Sequence, residues 1–309
     1  MKIVFFGTGE FSVDILKGLI ENGKEVVAVV SQPDKVNGRN GKTSFSAIKQ
    51  FCLQNGLKLF QFEKLNRDGE QDLKALNADM FITASYGQII RQNILDIPHF
   101  GIFNVHASLL PKYRGSSPIQ WAIMNGEKVT GVTIMKTELG LDCGDMYLQK
   151  QITIEDNDTS SSVFKKLATL GVECIVEFLN NFDYYKSHGI PQNEAEMSYY
   201  PMLKKEDFLL DFNMPTIKLI NKVRALENCY FVYKNMRFKV LQTRPAQGSA
   251  TPGKILSCSA KTGLIVATQD GAVEIETIQP EGKQKMPAKA YMNANKFVLG
   301  DVIETQKNC

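Results

Sequence analysis

Phe103-Asn104-Val105-His106-Ala107-Ser108-Leu109-Leu110-Pro111 is an alternating polar and apolar run that breaks into a proline-containing loop. Successive side chains of a strand point to opposite faces, so Asn104 and His106 share one face and the apolar residues occupy the other. Ser, Leu, Leu and Pro then end the strand. Active sites of open α/β sheets lie at the carboxyl ends of strands, and the run predicts an Asn/His pair at such an end.

A nearby acid separates two interpretations of this pair. An Asn and a His on one face also fit a structural hydrogen-bonded pair with no chemistry. However, a glycine-bracketed turn, Gly140-Leu141-Asp142-Cys143-Gly144-Asp145, follows a second alternating apolar run over residues 129–137. An acid beside an imidazole orients the ring and stabilises its protonated form. Asn104, His106 and Asp142 together therefore predict acyl-group chemistry that needs neither a metal nor a covalent nucleophile.

The chain that precedes this run alternates strands and helices. The pattern predicts strands at 3–6, 25–30, 57–62 and 80–84, and helices at 11–22, 45–54 and 71–76. Strand-turn-helix-strand units of this kind build a mostly parallel sheet. The Gly7-x-Gly9 pair invites a dinucleotide-binding interpretation, but Ser12 replaces the third glycine and no acid closes the second strand. Nicotinamide binding is therefore disfavoured.

The pattern changes in the last third of the chain. A helix over residues 160–179 closes the first domain, and the turn-rich residues 188–194 cannot continue it. After a helix at 214–226, five short strands are predicted at 231–233, 237–241, 253–257, 263–268 and 272–278. Short strands with glycine turns fit a small OB-like β-barrel. We expect domains at 1–187 and 205–309, joined by a linker at 188–204.

Charge is distributed unevenly between the two parts. Residues 1–203 carry 20 basic and 23 acidic side chains, whereas residues 204–309 carry 16 basic and 10 acidic ones. A basic C-terminal part favours a polyanionic partner, although a solvated basic surface fits the charge equally well. The turn-rich segment 31–43 adds three cations, Lys35, Arg39 and Lys42, against the single acid Asp34.

Composition excludes several classes of protein. The six cysteines are scattered singly with no C-x-x-C spacing, which argues against a zinc site and a disulfide framework. Cys143 is interpreted as a small loop residue. No apolar run approaches the roughly 20 residues that span a bilayer. The N-terminus resembles a first strand more than a signal peptide, so we expect a cytosolic protein without membrane contact.

Four motifs carry a family resemblance. They are Asn104 to Pro111, Arg114-Gly115-Ser116-Ser117-Pro118-Ile119-Gln120, Gly131-Val132-Thr133-Ile134-Met135, and Gly140 to Met146. Together they resemble the folate-dependent formyltransferases, most closely the members that formylate methionyl-tRNA. The resemblance extends over nearly the whole chain and weakens after about Met202.

The resemblance implies a fold, substrates and site residues. It implies a Rossmann-like N-terminal formyltransferase domain, an OB-like C-terminal domain that binds tRNA, 10-formyltetrahydrofolate as the formyl donor, and initiator methionyl-tRNA as the acceptor. No metal is required, and a monomer is expected. The implied site residues are catalytic Asn104, His106 and Asp142; folate-binding Ser108, Leu109, Leu110, Pro111, Gln88 and Ile89; and tRNA-binding Lys35, Arg39 and Lys42.

Rival functions and departures from the family pattern stay open at this point. A formyltransferase acting on sugar amines shares the same motifs, but the basic segment and basic C-terminal part favour tRNA. A non-catalytic RNA-binding relative would not require all three catalytic residues. Members of the family usually carry a Trp-containing, Pro-rich segment where this chain has Glu227-Asn228-Cys229-Tyr230-Phe231, and the one tryptophan here is Trp121.

Overall fold

The computed structural model describes residues 1–37, 42–292 and 297–304, with only the backbone described at 35–37 and 42–43. The chain forms two compact units. The first comprises Met1–Pro118, Val129–Thr153 and Phe164–Tyr200, and the second comprises Ile119–Lys128, Ile154–Val163 and Pro201–Cys309. Two short stretches that precede residue 201 thus belong to the second unit. The predicted domain limits at 187 and 205 stay a prediction.

Helices and strands alternate through the N-terminal two thirds of the chain. In order these elements are β1 (Lys2–Gly7), α1 (Glu10–Glu21), β2 (Glu25–Ser31), β3 (Lys35–Asn37), β4 (Lys42–Ser44), α2 (Ala47–Asn55), β5 (Leu59–Gln61), α3 (Leu65–Asp68), α4 (Glu70–Lys74), β6 (Met80–Ala84), α5 (Gln92–Leu95), β7 (Ile102–His106), β8 (Arg114–Gly115), α6 (Pro118–Asn125), β9 (Val129–Lys136), β10 (Met146–Thr153), α7 (Ser160–Asn180), α8 (Phe182–Tyr185) and β11 (Tyr199–Tyr200).

Seven of these strands form the sheet of the first unit, in the order β10-β9-β7-β6-β1-β2-β5. Strands β5, β2, β1, β6 and β7 run parallel, whereas β9 is antiparallel to β7 and β10 is antiparallel to β9. This arrangement confirms the predicted mostly parallel sheet. Thr83 at the end of β6 pairs in register with Asn104 on β7, so the carboxyl ends of these neighbouring strands meet at one edge.

Close packing of helix α1 explains the glycine pattern after β1. A Cβ atom on Gly7 would lie 2.4 Å from the Cβ of Ser12, so only glycine fits there. The Ser12 hydroxyl donates a hydrogen bond of 2.6 Å to the Ala84 carbonyl and accepts one of 3.0 Å from the Thr8 N–H. Ser12 therefore ties the glycine turn and the helix to the end of β6.

The second unit is built on an antiparallel sheet. Its elements are α9 (Thr216–Leu226), β12 (Cys229–Tyr233), β13 (Met236–Ala246), β14 (Ile255–Ser259), β15 (Gly263–Ala267), β16 (Ala272–Pro280), β17 (Met286–Pro287) and α10 (Ala288–Met292). The strand order is β12-β13-β16-β15-β14, with β17 beside β16. The sequence predicts a small OB-like β-barrel here, and the structure confirms a C-terminal β domain, built on an antiparallel sheet. Strands β13 and β16 are longer than predicted, and their pairing continues past two register shifts, from Phe238 opposite Pro280 to Ala246 opposite Ala272.

The last described residues link both edges of this sheet. Glu304 forms an antiparallel bridge to Val232 on β12, and Val302 forms one to Lys254 just before β14. One segment thus bridges both edges of the sheet, as in a sheet that curls towards a barrel. The interior contains aromatic rings, among them Phe231 and Phe238, which stack with 5.3 Å between their centroids.

Among the residues that the structure describes, no helix has both the length and the apolar character needed to cross a membrane. The expected monomeric state and cytosolic location stay predictions.

Glu227, which belongs to the segment that departs from the family pattern, binds the start of helix α7. Its backbone ends α9 with φ of 52°. Its carboxylate accepts hydrogen bonds from the Ser160 hydroxyl (2.7 Å) and from the N–H and hydroxyl of Ser161 (2.8 and 2.6 Å). Burial alone would raise the pKa of Glu227, but these hydrogen bonds prevail and hold it below its ordinary value of 4.5. Negative charge at a helix N-terminus is also favoured by the helix dipole.

Glu227→Gln should lower the free energy of unfolding near neutral pH by about 1 kcal/mol, because a half-buried carboxylate at a helix N-terminus is partly screened by water. The folded-state pKa lies below the unfolded one, so the stabilisation is complete above the unfolded pKa and is lost as pH falls through the folded value. The difference between the two proteins should therefore shrink on acidification. Urea unfolding at several pH values measures it, with the same change at exposed Glu281 as the control. A difference that stays constant down to pH 3 would contradict the assignment.

Candidate active site

Asn104 lies near the end of β7 with its amide oriented by a neighbouring strand. The Thr83 hydroxyl, on β6, donates a hydrogen bond of 2.9 Å to Oδ1 of Asn104. An amide whose oxygen is occupied presents its Nδ2 hydrogens as donors. Asn104 is half-buried, whereas Thr83 is buried. The site therefore contains a neutral donor whose orientation is set by the sheet.

His106 follows two residues later and is only 6% exposed. Its Nε2 lies 3.1 Å from the carbonyl oxygen of Tyr113. A carbonyl can only accept, so this contact assigns the proton to Nε2 and makes Nδ1 the nitrogen that gains or loses one.

Asp142 faces this free nitrogen. Its Oδ2 lies 3.8 Å from Nδ1 of His106 and accepts a hydrogen bond of 2.9 Å from the Gly115 N–H. A separation of 3.8 Å is longer than a hydrogen bond but close enough for the carboxylate to stabilise positive charge on the ring. The structure thus places the sequence-predicted acid beside the predicted imidazole, although 36 positions separate them in the chain.

The acid loop, residues 140–145, is braced by a residue that sequence reasoning assigned to the linker. Gln192 Nε2 donates to the carbonyl oxygens of Asp142 and Gly144, both at 2.8 Å. Arg114 Nε in turn donates to Gln192 Oε1 at 2.9 Å, and its other nitrogens reach both carboxylate oxygens of Glu194. The Arg114 guanidinium holds the pKa of Glu194 below its usual value. Nothing in a turn-rich segment distinguishes such a buried glutamine from a solvated one.

The loop predicted to bind folate, residues 108–111, is held by a hydrogen bond of its own serine and by hydrogen bonds to side chains of β9 and β10. The Ser108 hydroxyl donates to the Lys112 carbonyl at 2.7 Å. The buried Thr133 hydroxyl donates to the Ser108 carbonyl at 2.7 Å and accepts from the Leu110 N–H at 3.2 Å. Gln149 Nε2 donates to the Leu110 carbonyl at 3.0 Å. Leu110 and Pro111 are buried and Leu109 is half-buried. These contacts give the loop a defined shape.

The two other residues predicted to bind folate differ in their surroundings. Gln88 uses its amide inside the protein, donating to the Phe62 carbonyl at 3.0 Å and accepting from the Leu65 N–H at 3.0 Å. Ile89 is 76% exposed, whereas the next residue, Ile90, is buried in the core. Gln88 thus shapes its loop, and the Ile89 side chain is accessible to a ligand.

The structure describes the cations predicted to bind tRNA only in part. Lys35 and Lys42 start the paired strands β3 and β4, but only their backbone is described, and Arg39 lies outside the described residues. The base of this hairpin is anchored by Asp34, which accepts a hydrogen bond of 3.0 Å from Gln61 Nε2 and forms an ion pair with Lys49. Gln61 and then Lys49 lower the pKa of Asp34.

In the part of the chain that the structure covers, no group of three or more His, Cys, Asp or Glu side chains is placed to hold a metal ion. Cys143, beside Asp142, is a free thiol of intermediate burial.

Comparison with known proteins covers both parts of the chain. Residues 1–179 match the formyl transferase family, and residues 202–296 match the formyl transferase C-terminal domain. A methionyl-tRNA formyltransferase of Caldanaerobacter subterraneus subsp. tengcongensis is 41% identical over 98% of this chain and 100% of its own length. A methionyl-tRNA formyltransferase of Thermodesulfovibrio yellowstonii is 44% identical over 96% of this chain and 97% of its own length.

Solved structures with lower identity share the fold. The sugar 3N-formyl transferase WlaRD, solved with dTDP and 5-N-formyl-THF, has a TM-score of 0.64 and 21% identity over 92% of this chain and 99% of its own. HypX from Aquifex aeolicus, in complex with tetrahydrofolic acid, has a TM-score of 0.62 and 19% identity over 100% of this chain and 50% of its own.

Thr133→Val should lower the free energy of unfolding by about 2 to 4 kcal/mol, because the isosteric change removes the acceptor of the buried Leu110 N–H and the donor to the Ser108 carbonyl. The matched control is Thr153→Val at an exposed position of β10, which should change stability by no more than about 0.5 kcal/mol. Guanidinium unfolding of the three proteins measures both values. Equal stability of the two variants would show that Thr133 does not hold the loop.

Proposed function

The chain belongs to the methionyl-tRNA formyltransferase family. From that premise we propose that transfer of the formyl group from 10-formyltetrahydrofolate to the α-amino group of initiator methionyl-tRNA is catalysed by Asn104, His106 and Asp142. The observation that supports this proposal best is the 3.8 Å approach of Asp142 to the one free nitrogen of His106, next to an amide that Thr83 orients.

The reaction requires an anion site and a proton path. The neutral α-amine attacks the formyl carbon and forms a carbon–nitrogen bond, while the carbonyl electrons move onto oxygen and give a tetrahedral oxyanion. When the oxyanion reforms a carbonyl, the bond from the formyl carbon to folate N10 breaks. The attacking amine loses a proton and N10 gains one, so the overall reaction neither consumes nor releases a proton.

Asn104 is the proposed oxyanion donor. Its Oδ1 is occupied by Thr83, which leaves the Nδ2 hydrogens for the substrate oxygen. A preorganised donor of this kind contributes about 100- to 1,000-fold in rate. Because the amide carries no charge, its capacity to donate does not depend on pH.

His106 and Asp142 are the proposed proton-handling groups. Nε2 of His106 is committed to the Tyr113 carbonyl, so Nδ1 is the nitrogen that can take up or release a proton during the reaction. The positive charge that the ring then carries is stabilised by the Asp142 carboxylate across 3.8 Å. We place this pair on the proton path from the amine to the departing folate nitrogen; a positioned acid or base contributes about 100- to 10,000-fold.

The folate donor is assigned to the surface formed by Ser108, Leu109, Leu110 and Pro111, with Gln88 and Ile89. The internal hydrogen bonds of residues 108–111 support this assignment because a preformed loop binds a ligand at low entropic cost. The exposed Ile89 side chain offers apolar contact to a flat aromatic ring. The fold is also that of proteins solved with tetrahydrofolic acid and with 5-N-formyl-THF.

The tRNA acceptor is assigned to the basic residues. Residues 204–309 carry an excess of six positive charges, and Lys35, Arg39 and Lys42 add three more within the sequence segment 31–43. Clustered cations bind phosphates by releasing counterions, an interaction that a small acceptor does not need. The curated relatives at 41% and 44% identity act on methionyl-tRNA by name, which also favours tRNA over an amino sugar.

Asn104→Ala and His106→Ala should each lower kcat by about 100-fold or more, with little change in the KM for folate, because each removes a group that acts on the transition state. Asp142→Asn keeps the size of the side chain but removes its charge, so kcat should fall and the pH–rate profile should change shape. The measurement is formyl transfer from 10-formyltetrahydrofolate to charged initiator tRNA by purified protein.

The control for these three variants is Tyr185→Phe, which removes a hydroxyl that donates to Glu177 at 2.9 Å, outside the candidate site. Its kcat should match that of the unchanged protein. If His106→Ala or Asn104→Ala retained most of the turnover, the chemistry would have to be assigned to other residues. An unaltered pH–rate profile for Asp142→Asn would remove the acid from the proton path.

Replacing Lys35, Arg39 and Lys42 together by Ala should raise the KM for methionyl-tRNA and reduce its salt dependence. Each lost phosphate contact lowers the slope of log K against log salt by about 1. The KM for folate should change little. The matched control is the triple replacement of the exposed Lys17, Lys58 and Lys165 by Ala, which removes the same charge outside both basic regions and should leave the KM for methionyl-tRNA nearly unchanged. A KM for tRNA that is indifferent to salt and to the hairpin cations, together with efficient formylation of an amino-sugar nucleotide, would replace the tRNA assignment with the sugar one.

A further inference from the structure

We propose that Gln192 is a positioning residue for formyl transfer: its side-chain amide holds the backbone on both sides of Cys143 and so sets the distance between the Asp142 carboxylate and His106. This inference rests on the proposed role of Asp142 in proton transfer. Gln192 does not contact the reacting groups of the candidate site; it acts through the acid loop.

The geometry makes Gln192 a two-point clamp. Both hydrogens of one nitrogen, Nε2, are used, one for the carbonyl of Asp142 and one for the carbonyl of Gly144, each at 2.8 Å. The side chain is only 9% exposed, so water competes weakly for these bonds. Asp142 has φ of 46°, a left-handed conformation that a non-glycine residue adopts at a cost and holds only when its surroundings fix it.

The loop has few apolar contacts to hold it otherwise. Leu139, just before the loop, and Leu141, within it, are 63% and 56% exposed. Gly140 and Gly144 bracket the acid and add backbone freedom. In such a segment the polar bonds supply the order that apolar burial provides elsewhere.

Arg114 orients the clamp. Its Nε donates to Gln192 Oε1 at 2.9 Å, and this contact decides which end of the amide faces the loop. The guanidinium is itself buried and bound to both oxygens of Glu194. The next residue, Gly115, donates its N–H to the Asp142 carboxylate at 2.9 Å. Arg114 thus fixes the backbone of the acid through Gln192, while its chain neighbour fixes the side chain.

Gln192→Met tests the clamp because it preserves volume and removes both donors. We expect kcat to fall by about 10- to 100-fold, the cost of a displacement of about 1 Å in a catalytic group, with the KM for each substrate nearly unchanged. The matched comparison is Gln149→Met, the same chemical change at the glutamine that braces the loop at residues 108–111. That variant should raise the KM for 10-formyltetrahydrofolate. Gln192→Met should therefore act mainly on kcat, and Gln149→Met mainly on KM.

A double-mutant cycle distinguishes positioning from a general structural role. Gln192→Met is introduced both into the unchanged protein and into Asp142→Asn. If Gln192 acts through the acid, its loss should change kcat by less than about twofold in the Asp142→Asn background, whereas independent effects would multiply. Should Gln192→Met fail to fold, Gln192→Asn keeps an amide with a shorter reach and should show the same coupling with a smaller loss.

The outcomes separate this inference from the proposed function. A large loss in Asp142→Asn combined with normal kcat in Gln192→Met and Gln192→Asn overturns the positioning role and leaves the role of Asp142 intact. An equal fold-loss from Gln192→Met in both backgrounds also overturns it. Normal kcat in Asp142→Asn removes the acid from the mechanism and overturns the positioning role with it.

Discussion

The hydrogen bond from the Gly115 N–H to the Asp142 carboxylate ties strand β8 to the acid loop, two segments that lie outside the strands of the seven-stranded sheet. Gly115 is fixed in turn by β11, because the Ser116 N–H and the Tyr200 carbonyl are paired at 3.2 Å. A Cβ atom on Gly115, whose φ is 100°, would lie 2.5 Å from that carbonyl. Only glycine allows this close approach, and the close approach aims the N–H at the acid. The position of Asp142 beside His106 therefore depends on residues 85 positions beyond Gly115 in the chain, which a local pattern does not show.

The predictable part of the structure is the part with local periodicity. The alternation at 103–107 indicates which face Asn104 and His106 share, and the apolar runs locate β1, β2, β6 and β9 to within one or two residues. Strand β10 gives a weaker signal: it is an edge strand whose residues are mostly exposed or half-buried, so its apolar contrast is low. The two-residue strands β8 and β11 have no periodicity at all, and their pairing follows from long-range packing.

The same distinction applies to the candidate site. Residue types and motifs indicate Asn104, His106 and Asp142, but they do not show how each side chain is held. Thr83, Arg114 and Gln192 contribute through side-chain contacts between segments that are distant in sequence. Such contacts produce no regular residue spacing that a sequence pattern could reveal. Gln192 also lies in a stretch whose turn-forming residues predict a solvated linker. The buried polar contacts of that stretch could be found only from coordinates.

The hydrogen bonds to the three central residues also separate two chemical tasks. Thr83 occupies the acceptor end of the Asn104 amide and leaves a donor that carries no charge at any working pH. The Tyr113 carbonyl occupies Nε2 of His106 and leaves a single nitrogen for proton exchange, facing an anion. If the amide could rotate, its oxygen would repel a developing oxyanion; if both ring nitrogens were free, either could take the proton. Because both alternatives are removed by neighbouring strands and loops, the proposed roles of oxyanion donor and proton carrier would fall to different side chains that are already oriented before any substrate binds.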